Sequence, residues 1–246
     1  VKKEKEADSE LPKIVIGMDY FEPYSYQASD GEYKGIDVEL AKEAFRRLGY
    51  RPKFENIVWE DKDELLADGT VDCLWSSYSM NGREDKYQWA GPYLYSRQMV
   101  VVKNESEIQT LSDLKGKRIA VQATTKAEDL FLHNIKSDLP QMQQVNCFST
   151  TNEIYAALRK SYVDAIAGHE AMLGSLIQDG KGVYRMLEES PYKSELGIAF
   201  KKGTHEELAE KLTETLTEMQ SEGITEKIVT KYGLDADETL PGGESK

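Results

Sequence analysis

Short apolar runs alternate with helix-patterned segments along this chain, and that alternation constrains its fold more than any other feature. It predicts α/β layering, with mostly parallel strands covered by helices. Ile14–Gly17 predicts the first strand. Residues 36–48 follow as a helix with Leu40, Ala41, Ala44, Phe45 and Leu48 on one face, Asp37 near its start and Gly49 as its stop. A short helix at 61–67 ends at Asp68–Gly69, and Val71–Trp75 predicts a buried strand. Gln98–Val102 predicts another strand.

A second series then repeats the first. Lys117–Gln122 predicts its opening strand, and Thr125 with Glu128 reads as a capping box that starts a helix near Ala127. Thr150 with Glu153 reads as a second box, opening a helix through about Lys160. Strand Tyr162–Ala167, a helix over 170–178 and strand Val183–Leu187 complete the series. The chain then runs through strand Leu196–Phe200 and a third box, Thr204 with Glu207, which opens a helix carrying Leu208, Leu212, Leu216 and Met219 along one stripe. A last helix spans Ile224–Tyr232 and stops at Gly233; the final residues, from Asp235, read as disordered.

Composition narrows the function classes. The 246 residues are 39% hydrophobic and 30% charged, ordinary for a globular protein, and no apolar run approaches the roughly 18 residues of a membrane span. A formal charge of -13 repels phosphate backbones and anionic headgroups, so neither nucleic acid nor a membrane surface is an expected partner. The two cysteines, Cys73 and Cys147, belong to no metal-binding pattern; they read as two separate buried thiols, with no metal and no cofactor expected. Residues 1–10 are charged and read as a flexible leader, without the apolar core of a signal peptide.

Four stretches carry a resemblance: Ile16–Gly49 (IGMDYFEPYSYQASDGEYKGIDVELAKEAFRRLG), Asp68–Glu84 (DGTVDCLWSSYSMNGRE) with WAGPYLYSRQMVVV after it, Leu111–Leu130 (LSDLKGKRIAVQATTKAEDL) and Glu153–Ala171 (EIYAALRKSYVDAIAGHEA). In this order and spacing, over about residues 12–235, the chain resembles the type 3 extracellular solute-binding proteins, which serve polar amino-acid ABC importers. The resemblance implies an α/β clamp of two lobes, each a mostly parallel sheet flanked by helices. Residues 11–96 plus 196–240 would form lobe 1 and 102–190 lobe 2, with crossovers at 97–101 and 191–195 as the hinge and 241–246 as a tail. It implies a monomeric, non-enzymatic protein outside the cytoplasm, lipid-anchored or periplasmic, whose partners are a small solute and the importer's membrane subunits.

Site residues follow from the same resemblance and from their chemistry. Arg83 is the expected anchor for a solute carboxylate, because its planar fork donates two parallel charge-assisted hydrogen bonds. It lies eleven residues past Asp72, where the family usually has twelve, with Asn81 and Gly82 before it. Thr124 and Thr125, before a helix start, offer backbone N–H groups to the same carboxylate. Ser77 and Ser79 match strand-end positions that hydrogen-bond the solute. Phe21 and Trp59 match wall positions, with Tyr20, Trp75 and Tyr78 nearby; Trp75 reads as plain core.

His169 stands where the family usually has an aspartate that pairs with the solute's ammonium. A neutral imidazole cannot neutralise a cation. Either Asp19, Glu22 or Glu170 takes that role, or the solute is not a standard α-amino acid. Two rival readings remain. One is an enzyme of the same fold, dehydratase-like on a cyclic carboxylic acid, with His169 and Glu170 as acid and base; the other is the sensing module of a receptor.

Overall fold

The computed structural model describes residues 10–136 and 138–242; the expected leader, apart from Glu10, and the last four residues of the tail lie outside them. Eleven strands are formed among the described residues. They are β1 (Lys13–Met18), β2 (Tyr26–Gln27), β3 (Tyr33–Lys34), β4 (Arg51–Asn56), β5 (Cys73–Ser79), β6 (Tyr87–Lys103), β7 (Arg118–Gln122), β8 (Gln144–Phe148), β9 (Ala165–His169), β10 (Tyr184–Met186) and β11 (Tyr192–Lys201). The helices are α1 (Ile36–Arg47), α2 (Lys62–Ala67), α3 (Lys126–Phe131), α4 (Thr151–Arg159), α5 (Glu170–Asp179), α6 (Glu206–Ser221), α7 (Ile224–Lys231) and α8 (Ala236–Thr239).

The chain divides into two compact units at Tyr95/Ser96 and Ser194/Glu195, so that unit 1 holds both ends of the described chain and unit 2 the middle. β6 and β11 are the two strands along which the chain passes from one unit to the other. Each unit is built on the same β-α-β-α-β plan. In unit 1, β1 lies between β4 and β5 and is parallel to both, and β11 adds antiparallel to β5. In unit 2, β7 lies between β8 and β9 and is parallel to both, and β6 adds antiparallel to β9, with β10 antiparallel to β6 beyond it.

Helix α1 shows why the plan forms. Leu40, Ala41, Ala44 and Phe45 recur at helical spacing and are fully buried, each large one contributing roughly 1.5–3 kcal/mol. Its entry requires glycine: Gly35 has φ 122, and a Cβ there would lie 2.3 Å from the Tyr24 carbonyl oxygen. Phe45 packs edge-on against Trp75, which in turn meets Tyr93 at 5.5 Å, so Trp75 is core as expected. Unit 2 has its own core of Val100, Val102, Ile119, Val121, Leu130 and Ala165 with their neighbours.

Several expectations change. The strand expected over Val71–Trp75 starts at Cys73 and continues through Ser79, and the strand expected at Tyr162 starts only at Ala165. Of the three expected capping boxes only Thr150–Glu153 closes, with Glu153 N–H donating to Thr150 Oγ and Glu153 Oε2 accepting from Thr150 N–H at 2.8 Å. At Thr125 the hydroxyl donates back to the Gln122 carbonyl, while Glu128 accepts from the Thr124 amide instead. At Thr204 the hydroxyl donates to the Lys201 carbonyl, and left-handed His205 opens α6. Part of the segment expected to be disordered is helical: the Asp235 side chain accepts from Asp237 N–H and starts α8, which spans Ala236–Thr239. Cys73 is buried as expected, but Cys147 is exposed; one lies in each unit.

Candidate functional site

In an open α/β sheet, solutes bind beyond the carboxyl ends of the strands, where the strand order reverses. In unit 1 that point lies between β1 and β5, since the chain leaves β1 outward to β4 and returns to β5 on the other side. Asp19, Tyr20 and Phe21 follow β1, and Ser76, Ser77 and Ser79 end β5. In unit 2 the equivalent point lies between β7 and β9, followed by Thr124 and Thr125 and ended by His169. Every expected contact except Trp59 and Arg83 thus falls at one of two equivalent places.

In unit 1 a hydrogen-bond network ties these segments together. Ser25 Oγ donates to the Asp19 carbonyl at 2.8 Å and lies 2.9 Å from Ser76 Oγ, which also accepts from Asp19 N–H at 3.2 Å. Asp19 Oδ1 accepts from Tyr20 N–H, and Glu22 accepts from the Tyr20 hydroxyl. Phe21 is buried against Tyr24, whereas Tyr20 is exposed. Ser79 Oγ donates to Asn81 Oδ1, which also accepts from Glu195 N–H at 2.7 Å and pins the turn after β5 to β11.

That turn carries Arg83. Its Nη1 donates to the Ser79 carbonyl at 3.1 Å, its guanidinium lies 5.2 Å from the Tyr78 ring centre, and Trp89 Nε1 donates to its carbonyl. The fork is therefore preset, which lowers the entropy lost on capturing an anion. Trp59 packs edge-on to Tyr78 at 5.0 Å, and Tyr87 and Trp89 complete the cluster. Buried Lys62 holds its ammonium over Trp59 and Tyr78, at 5.3 and 5.9 Å. No sequence pattern marks Lys62, because its position in α2 reads as an ordinary solvated lysine.

Unit 2 offers an imidazole and an amide where the family pattern has an aspartate. His169 is buried, with Nδ1 2.8 Å from Ser96 Oγ and 3.2 Å from Gln98 Nε2. Gln98 Nε2 also donates to Ser194 Oγ, and Gln98 Oε1 has no hydrogen-bond partner among the described residues. Glu170 is engaged in a two-point pair with Arg97 at 2.6 and 2.9 Å, so its charge is already matched within unit 2. Thr124 is left-handed at φ 59, and its amide is taken by Glu128 at 2.8 Å. The other residues missed from sequence are Asp37, Ser96 and Gln98. Each sits far along the chain from its partner, so no local pattern marks them.

Residues 14–235 match the model of the bacterial extracellular solute-binding proteins, family 3. The chain belongs to that family. The L-cystine-binding protein TcyJ of Escherichia coli (strain K12) is 26% identical over 227 residues, covering 90% of this chain and 83% of TcyJ. The histidine-binding periplasmic protein of Salmonella typhimurium (strain LT2) is 27% identical, covering 89% of this chain and 87% of that protein. Among solved structures, an ancestral arginine-binding protein bound to arginine superposes with a TM-score of 0.81 at 26% identity, covering 90% of this chain and 98% of that one. As a family member the chain is a solute-binding protein with the two-lobed α/β architecture expected of it.

Proposed function

We propose that this protein captures a small amino-acid-like carboxylate solute outside the cytoplasm, lipid-anchored or in a periplasm, and delivers it as a monomer to the membrane subunits of an ABC importer. Bending of β6 and β11 where they pass between the units closes the two sets of groups on the solute. Closure is favoured by solute because only the closed state lets both sets contribute. The preset guanidinium of Arg83, held on Tyr78 and on the Ser79 carbonyl, carries this reading. It receives the carboxylate, assisted by Ser77 and Ser79 and by the chain at Thr125, the Thr124 amide being held by Glu128, with Phe21, Trp59 and Tyr20 as walls and Asp19 as the carboxylate nearest a solute cation. His169 and Gln98 contribute neutral contacts in place of an aspartate. The solute leaves chemically unchanged, and no cofactor takes part.

The names of the relatives point to amino acids with a long or polar side chain. Calorimetric titration with the twenty amino acids and L-cystine, alongside native mass spectrometry of the purified protein, tests the proposal. Micromolar or tighter binding of one of them, recovered with unaltered mass, is expected. No binding across the set, together with no co-purified small carboxylate, would sink it.

A further inference from the structure

Strand β5 is distorted where it meets the switch point of unit 1. Tyr78 pairs with Gly197 and Leu74 with Ala199, so Trp75, Ser76 and Ser77 stand opposite the single residue Ile198. Such bulges re-aim side chains beside binding sites. Ser77 takes up the distortion with φ 50, a left-handed conformation that costs a non-glycine residue roughly 1–2 kcal/mol. Something must hold it there. The Asp37 carboxylate, 0% exposed in the first turn of α1, accepts from Ser77 N–H through Oδ2 at 2.7 Å and from the Tyr93 hydroxyl through Oδ1 at 2.6 Å. The Ser77 hydroxyl is itself buried, with the residue 3% exposed, and has no hydrogen-bond partner among the described residues. An unspent buried hydroxyl is costly, and a polar ligand atom is a natural complement.

We propose that Asp37 is a positioning residue of the solute site: its carboxylate clamps the Ser77 amide, fixes the bulge, and so aims the unspent Ser77 hydroxyl at the solute. This rests on the reading above that Ser77 meets the solute. Asp37 itself touches no solute. Its two oxygens meet two donors, which a side chain with a single acceptor oxygen cannot match, and Tyr93 keeps the carboxyl group from turning away.

The test combines affinity with a readout on the unliganded protein. Calorimetry with L-cystine, L-histidine and L-arginine is run on Asp37→Asn, Ser77→Gly and the double variant. Glycine adopts the left-handed conformation without strain, so it does not need the clamp. Asp37→Asn is expected to weaken binding about tenfold with Ser77 present, and less than twofold further with glycine at position 77. Amide hydrogen exchange of the free protein should show Ser77 losing protection in Asp37→Asn while the rest of β5 keeps it. Equal weakening in both backgrounds, or an Asp37→Asn protein whose Ser77 amide stays protected, overturns the proposal. If none of the three amino acids binds the unsubstituted protein, the solute reading loses support, and the exchange measurement still decides whether Asp37 holds Ser77. Should Asp37→Asn not fold, Tyr93→Phe removes the other donor on the same carboxylate; Ser77 exchange that is unchanged there also overturns the clamp.

Discussion

The two units share a plan and differ in electrical character. Both place a central strand between two parallel neighbours and collect polar residues at the same end. Unit 1 fills that end with aromatic rings carrying Arg83 and Lys62, and anchors β5 on a buried carboxylate. Unit 2 fills it with His169, Gln98 and Ser96, and pairs its nearby charges internally, Arg97 with Glu170 and buried Lys126 with Asp129. One topology thus supports two different sets of side chains at equivalent strand ends, rings with cations in unit 1 and hydrogen-bonded polar groups in unit 2. Strand order determines where a site is, while side chains determine what it can hold.

The largest expected effect separates the two halves directly. Arg83→Ala should weaken binding of the best calorimetric ligand by about 100-fold, because a charge-assisted pair is removed from a preset fork. His169→Ala should cost less than about tenfold, the loss of a neutral contact. A larger loss at His169 than at Arg83 would break the comparison.

The next effect concerns stability. Burial pushes the Asp37 carboxyl up to about 7, despite the hydrogen bonds from Tyr93 and Ser77 that pull it down. Between the unfolded value near 4 and the folded one, the folded protein holds more protons at this group than the unfolded chain. Stability from Asp37 is therefore fully present below about pH 4 and is lost as pH rises toward 7, by at most a few kcal/mol. Denaturant midpoints for Asp37→Asn should lack this falling segment. Identical pH profiles for the two proteins would mean that the carboxyl titrates normally and that its burial does not penalise the charge.

Smaller effects sharpen the contrast in local structure. Thr150→Ala should destabilise unit 2 by about 1 kcal/mol, since both arms of that capping box are formed. Thr204→Ala should cost under about 0.5 kcal/mol in urea titration, its hydroxyl making only a turn contact to Lys201. The smallest perturbation is chemical labelling. A thiol reagent should modify one cysteine in the native protein, exposed Cys147 of unit 2, and both only after unfolding, because burial raises the Cys73 thiol and hides it.

The layered α/β character, the repeated series and most helices were legible in the sequence, because the spacing of apolar residues is a local record of which face is buried. Arg83, Thr125 and the serines of β5 were legible as a pattern of residue types. Tertiary structure decided the rest. The three expected boxes share the same Thr-x-x-Glu spelling, yet of these only Thr150 closes its box; Thr125 and Thr204 find nearer carbonyls once their loops are packed. Asp37 reads as an ordinary helix-start acid until folding buries it against an amide 40 residues further along the chain. A helix stripe is written within a few turns of the chain. A clamp between distant segments exists only when the sheet has brought them together, and its strength comes from the low dielectric that packing creates.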